Sequence, residues 1–337
     1  MPMLDQLLEK KIRLIDYEKI VDEKGNRLIA FGVFAGLAGA IDYLAGFGHY
    51  LLLAGYSTPF LNINYSYKYF NLEDAYSNLA KVSERLQQKQ IDIGLRPLIF
   101  AVTGRGRTAN GVLKVLSYFK QVKTIHPDEM EKLVADPNNP EHATTIYLAT
   151  INTEDVTVPR DTTEKFDKET YYKNPDKFKN KFSKKYLPYI SCLFHCIFWD
   201  SKFPRYIKNK HLKKLADAGK LRLFGICDVT CDADGSIECL KKFTSPDRPF
   251  FFYDPQTEEE SYYFEYKKNR IMYLALDYLP SELSYDASTY FVIQPCTSPT
   301  SSSNGLPTYA TATGKNHYPS KGCFPSCRGP LSLSTGS

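Results

Sequence analysis

The stretch Pro97-Leu-Ile-Phe-Ala-Val-Thr103, followed by Gly104-Arg-Gly-Arg-Thr-Ala-Asn-Gly111, decides how the rest of the chain is read. A short apolar, β-rich run feeds a glycine turn, and the turn opens a helix-like segment over 112–120. That order suits a dinucleotide pyrophosphate. Glycines let the backbone turn tightly and approach the phosphates, while the free N–H groups and dipole of a helix N-terminus face the anion. The spacing departs from G-x-G-x-x-G, since Ala109 takes the last small position and Gly111 comes two residues later. An ordinary strand–turn–helix connection could use the same residues, so the flanking strand and helix carry the assignment.

From residue 97 onward, apolar strands alternate with helical patterns. Candidate strands cover 98–103, 122–125, 145–149, 189–198 and 221–227. Helical candidates lie near 112–120, 127–135 and 208–218, the last closed by Gly219. This alternation predicts an α/β fold with a doubly wound, parallel, Rossmann-like sheet. Such sheets bind ligands beyond the carboxyl ends of their strands. The cleft residues are then Gly104, Arg105, Gly106, Arg107 and Thr108, with His126, Trp199, Asp200 and Asp228.

Upstream, the pattern predicts a helix running into a strand at 12–17, a turn at 22–26 and a short strand at 27–31. A small-residue helix follows over 34–53. Asn71 caps another helix, whose Leu72, Ala75, Leu79, Val82 and Leu86 form one apolar stripe. Downstream, 250–253, 262–266 and 271–276 read as strands of a second domain. The expected division is a dinucleotide-binding domain at 32–231 and a partial second α/β domain, for substrate, from 1–31 and 232–291. Residues 292–337 form a Ser-, Thr-, Pro- and Gly-rich tail, expected to be disordered.

Composition narrows the function classes. A hydrophobic content of 43% supplies a sizeable core, and a net charge of +5 over 337 residues does not by itself point to nucleic acid or membrane. Residues 155–186 interleave lysines with aromatic rings, as a single-strand binder would, but Asp167, Glu169 and Asp176 interrupt the charge. A surface excursion with rings packed beneath it is the preferred reading, so no nucleic-acid partner is expected. Asp42 and His49 break the apolar run at 28–56, which favours a buried helix over a membrane span. Of eight cysteines, six form C-x3-C pairs: Cys192/Cys196, Cys227/Cys231 and Cys323/Cys327. Structural zinc wants matched C-x2-C pairs, so buried free thiols are expected and no metal. Charges at Asp5, Glu9, Lys10, Lys11 and Arg13 leave neither a secretory signal nor a good mitochondrial presequence at 1–15.

Several separated segments carry a resemblance. They are Ile12-Arg-Leu-Ile-Asp-Tyr-Glu18, Gly25-Asn-Arg-Leu-Ile-Ala-Phe-Gly32 and Ala35-Gly-Leu-Ala-Gly39, then 188–199 and 226–238. Over roughly residues 1–291, in collinear order, the chain resembles the lysine–2-oxoglutarate reductase (saccharopine dehydrogenase) region of the aminoadipic semialdehyde synthases, within the alanine dehydrogenase-like superfamily. The resemblance implies NAD(P)H-dependent reductive condensation of L-lysine with 2-oxoglutarate to saccharopine. It implies Arg27 for a substrate carboxylate and Glu18 and Asp228 as catalytic acids, with Asp228 also facing the nicotinamide end. A mitochondrial location follows from the resemblance, a cytoplasmic one being the alternative. A homo-oligomer is allowed.

Cofactor choice is weighed from charge. Lys123, His126, Arg105 and Arg107 make a cationic neighbourhood that suits a 2′-phosphate, so NADPH is preferred and NADH is the alternative. The family places a lysine and a histidine for acid–base work upstream of the segment matching Met1. The chain is therefore expected to act as a fragment that binds a dinucleotide with impaired reductase activity. The alternative is a non-catalytic dinucleotide-binding module that associates with a full-length enzyme.

Overall fold

The computed structural model describes residues 2–88, 93–161 and 163–297. In chain order its helices are α1 (Pro2–Glu9), α2 (Gly32–Leu53), α3 (Leu72–Gln88), α4 (Arg107–Leu116) and α5 (Met130–Ala135). There follow α6 (Thr153–Val156), α7 (Lys168–Lys173), α8 (Phe182–Lys185), α9 (Asn209–Asp217) and α10 (Ser284–Thr297). The strands are β1 (Leu98–Thr103), β2 (Val122–Ile125), β3 (Ile146–Ile151), β4 (Thr157–Pro159), β5 (Phe178–Asn180) and β6 (Cys192–His195). After them come β7 (Gly225–Asp228), β8 (Phe250–Asp254), β9 (Glu259–Ser261) and β10 (Ile271–Leu274). The described residues divide into two compact units, Ala30–Tyr290 and a smaller one holding 2–29 with 291–297.

The larger unit is a doubly wound sheet in the order β2-β3-β1-β6-β7-β10-β8-β9. From β2 to β10 every neighbouring pair is parallel, and β8 and β9 add an antiparallel edge. Buried apolar side chains leave both faces of β1. Leu98, Phe100 and Val102 pack with Leu37 of α2, Leu79 of α3 and Val112 of α4. Ile99 and Ala101 pack on the opposite face with Met130 of α5 and Leu212 of α9. A strand covered on both faces reads as a continuous apolar run, which is why β1 has no polar alternation.

Three expectations change. Residues 232–291, assigned by sequence with 1–31 to a substrate domain, include strands of the main sheet: β10 is its sixth parallel strand, and β8 pairs with it. The strand expected at 12–17 does not form, and the one expected at 27–31 reduces to a single bridge, Arg27 with Val21. Ile12, Leu14 and Ile15 are half exposed there, and a lone strand pair without a core to cover is marginal. Helix α10 continues to Thr297, into the segment expected to be unstructured, and 298–337 lie outside the described residues.

The apolar stretch around 28–56 is the helix α2, whose central residues are buried. Among the described residues no helix is long and apolar enough to cross a membrane. Its small residues serve contact with α4. A Cβ on Gly36 would fall 2.0 Å from the Thr108 carbonyl oxygen, and one on Gly111 would fall 2.2 Å from that of Val33. The two backbones touch, which only glycine at both positions permits. Gly111, displaced from the fingerprint position, is used for this packing. The lysine-rich excursion folds onto itself: β4 pairs with β5, and Tyr171 and Phe178 pack with Phe203, Phe166 and Trp199.

Candidate functional site

The glycine turn sits at the carboxyl tip of β1, where the sheet changes direction. β3 lies on one side of it and β6 on the other. Gly104 continues the ladder, its N–H donating to the Ile151 carbonyl at 2.9 Å. Its φ is +85°, and a Cβ there would come within 2.9 Å of the Cys196 carbonyl oxygen. Both conditions demand glycine. Gly106 is the N-cap of α4 and offers no side chain to the first-turn N–H groups. A Cβ on it would meet nothing within 4 Å, so space opens above the helix start. Arg105, Gly106 and Arg107 are exposed. The start of α2 lies alongside, since a Cβ on Gly32 would be 3.2 Å from Thr108 Oγ1. Two helix N-termini thus meet at one place, and each presents partial positive charge to an anion.

Beneath the turn, the tips of β1, β6 and β7 are sealed by a polar network that sequence reading did not single out. His195 is fully buried. Its Nδ1 lies 3.0 Å from Thr103 Oγ1 and its Nε2 2.6 Å from Ser236 Oγ. Thr103 Oγ1 also accepts the Cys196 N–H at 3.1 Å. Burial pushes the imidazole below its usual range, with the Asp228 charge opposing, so the ring is neutral near pH 7. Asp228 ends β7 as predicted but is almost wholly buried. Its Oδ1 accepts the Cys231 N–H at 3.0 Å and the Thr230 hydroxyl at 3.1 Å, and its Oδ2 accepts the Tyr273 hydroxyl at 2.7 Å. Both oxygens are therefore engaged by the chain's own donors. The nearby Cys192, Cys196, Cys227, Cys231 and Cys239 are buried free thiols, and burial raises them all.

Other predicted site residues fall elsewhere. Lys123 belongs to β2 and His126 follows it directly; β2 lies at the sheet edge with β3 between it and β1. The cationic neighbourhood inferred for a 2′-phosphate is therefore split. Lys123 pairs with Glu141 at 2.7 Å, and His126 Nδ1 accepts the Asp128 N–H at 3.3 Å in a helix cap. Asp128 pairs with Lys185 at 2.7 Å. Arg105 stays at the turn but meets Glu154, just beyond β3, at 3.1 Å. In the smaller unit Arg27 pairs with Glu18 at 2.7 Å, and both side chains are about half exposed. Trp199 follows β6 and lines a recess with Thr153, Tyr171, Ile197, Phe203 and Tyr206; its indole N–H is buried and unpartnered. Asp200 is a turn residue accepting the Lys202 N–H at 2.9 Å.

One signal in the sequence could have revealed this strand order. β2 reads Val-Lys-Thr-Ile, and its two central residues are exposed, as suits an edge. β3 reads Ile-Tyr-Leu-Ala-Thr-Ile and is buried almost throughout, as suits an interior strand.

An alpha-aminoadipic semialdehyde synthase of Arabidopsis thaliana is 36% identical over 298 residues, an alignment covering 86% of this chain and 28% of that protein. The chain is related to one region of the alpha-aminoadipic semialdehyde synthases. The mitochondrial alpha-aminoadipic semialdehyde synthases of Bos taurus and Mus musculus are each 29% identical over 304 residues, covering 86% of this chain and 32% of theirs. The chain thus spans less than a third of the length of these synthases. No family model matches it. A solved L-alanine dehydrogenase superposes on 87% of the chain and 60% of its own length, with a TM-score of 0.42 and 11% identity.

Proposed function

We propose that the larger unit binds a nicotinamide dinucleotide for an oxidoreductase of lysine catabolism, the reductive condensation of L-lysine with 2-oxoglutarate to saccharopine. One observation carries the dinucleotide half of this reading: an uncapped helix N-terminus, reached through a left-handed glycine, stands exposed at the switch point of a parallel sheet. The relationship to the synthases supplies the chemistry. When bound, the dinucleotide would supply hydride to an imine carbon formed from the lysine ε-amine and the 2-oxoglutarate keto group.

The chain's own residues take supporting roles. The amides after Thr103 hold the pyrophosphate. Asp228 fixes the 229–240 loop through Cys231 and Thr230, and so shapes the floor of the nicotinamide end. Arg27 binds a substrate carboxylate and Glu18 holds or takes a proton, once a substrate carboxylate replaces Glu18 on the guanidinium. A second reading, a dinucleotide-binding module without reductase chemistry, is favoured by the Glu18–Arg27 pairing and by the saturation of Asp228.

Titration with NADH and NADPH, followed by quenching of the single tryptophan, Trp199, tests the first step. Saturable quenching is expected from at least one dinucleotide. Gly106→Glu should abolish it while leaving the fold intact, because that position opens to space. No saturation by either dinucleotide overturns the reading. Saccharopine formed from lysine, 2-oxoglutarate and reduced dinucleotide would exclude the second reading.

A further inference from the structure

We propose that two copies of this chain associate about a two-fold axis through the segment Glu258-Glu-Glu-Ser-Tyr-Tyr-Phe-Glu-Tyr-Lys-Lys268. The segment is remote from the dinucleotide site, with four strands of the sheet between β1 and β9, and the inference does not depend on that site. β9 is the last strand of the sheet, and among the described residues no strand pairs with its outer edge. Proteins keep such an edge short, charged or covered. β9 is short and starts with Glu259 and Glu260, yet the chain after it builds an apolar surface there. Residues 262–268 are exposed without a break, and four of these seven are aromatic. Tyr263 is 82% exposed. The rings beside it are held in place. Phe264 meets the Phe250 and Phe252 rings edge-on at 5.8 and 4.9 Å, and Tyr266 lies 5.5 Å from the Tyr50 ring. Rings fixed in this way lose little entropy when a partner covers them, and exposed aromatic patches mark protein contacts.

Charge identifies the occupant. Glu258, Glu259 and Glu260 precede the rings, and Lys267 and Lys268 follow them. Among the described residues the three glutamates and Lys268 form no ion pair, and the Lys267 ammonium has only a 3.6 Å contact with Glu265. Counted from Tyr263, Glu258 and Lys268 each lie five residues away, and Glu259 and Lys267 each lie four. In a two-fold contact the same patch is used twice, so residue i of one copy meets j of the other and j meets i. An axis passing Tyr263 between the two arms therefore sets the acidic arm of each copy against the basic arm of the other. An anionic lipid surface would be repelled by the acidic arm, and a protein of a single sign by one arm or the other. A second copy satisfies both arms at once and covers the rings between them.

Sedimentation velocity of the purified full chain over about 1 to 100 μM tests this, and a monomer–dimer equilibrium is expected in that range. Glu258→Lys with Glu259→Lys makes both arms positive, and Lys267→Glu with Lys268→Glu makes both negative. Each double variant should dissociate at least about tenfold more readily than the parent chain. Mixed in equal amounts, the two double variants should form a heterodimer, and all four substitutions in one chain should restore the homodimer. Tyr263→Lys should weaken the dimer by about tenfold with the melting midpoint unchanged, because that ring stands in solvent in the single chain. A parent chain that stays monomeric at about 100 μM overturns the proposal, as does a dimer that none of these variants weakens. Double variants that weaken the dimer but do not complement each other overturn the two-fold arrangement. A monomer that co-sediments with phosphatidylserine vesicles overturns it in favour of a lipid surface.

Discussion

The two flanks of β1 are built on opposite principles. On the β3 side the tip is exposed and charged, and its central contact is the Arg105–Glu154 pair. On the β6 and β7 side it is buried, and charge is confined to one carboxylate with three donors around it. The first kind of contact costs little to remove, because water replaces each partner. The second is expensive to break, because a stranded buried donor finds no water. Contacts on the open flank can therefore be exchanged at little cost, while those on the other hold the strand tips in place.

The sharpest way to break this contrast is Asp228→Ala. It strands the Tyr273 hydroxyl and the Cys231 N–H, and should cost about 3 kcal/mol, read as a lower urea midpoint with unchanged slope. A loss below about 0.5 kcal/mol would mean that the β7 tip behaves like the exposed one.

The larger unit contains a second buried acid, which extends the comparison. Glu282 is buried beside Asp42 on α2; burial raises both, the Asp42 carboxylate pushes Glu282 up further, to about 10, and the hydrogen bond from Glu282 holds Asp42 partly down. Asp42 Oδ1 is held by the Ser66 N–H at 2.6 Å. An acid raised in the folded state contributes most below its unfolded value, and that contribution falls as pH rises above about 4.5. Glu282→Gln should therefore raise the melting midpoint at pH 8–9, by about 1–2 kcal/mol of stability, and flatten its decline with pH. A larger midpoint gain at pH 5 than at pH 9 would contradict the raised acid.

Histidine titrates in the opposite sense. His195 is held neutral by burial, so its folded value lies below the unfolded one. Stability should be intact above pH 6.5 and lost as pH falls below it, because only the unfolded chain takes up the proton. His195→Gln should remove about 1 kcal/mol of that acid sensitivity, measured as the difference in unfolding free energy between pH 7.5 and 5.5. The smallest effect is expected on the open flank: Glu154→Gln, which removes the exposed ion pair with Arg105, should change stability by less than about 0.5 kcal/mol.

Local chemistry made much of the larger unit legible from sequence. β1 and β2 run between the residues read from the sequence, and Asn71 caps α3 by accepting the Asp74 N–H at 3.0 Å. Each of these is decided by neighbours in the chain. Strand order is decided by what lies across the sheet, and the insertion of β3 between β1 and β2 left one local trace, the polar centre of β2 against the apolar run of β3. The same reason placed β10 beside β7 in the main sheet although an irregular stretch and the strands β8 and β9 separate the two in sequence. Of the candidate site, Gly104 and Gly106 were legible because backbone geometry requires them. Glu154, His195 and Ser236 were not, since their partners lie on other strands or in distant loops. Glu18 and Arg27 were reached through resemblance alone, and the structure brings those two together.

The close seam between α2 and α4 also bears on how the chain matures on the ribosome. Helix α2 is 22 residues long and buried along most of its length, yet it leaves the exit tunnel before any strand of the sheet. Until β1 and α4 arrive, that oily cylinder has only the short segment around Phe60 and Ser66 and the α3 stripe of its own chain to lie against, and nascent-chain chaperones have their clearest target there.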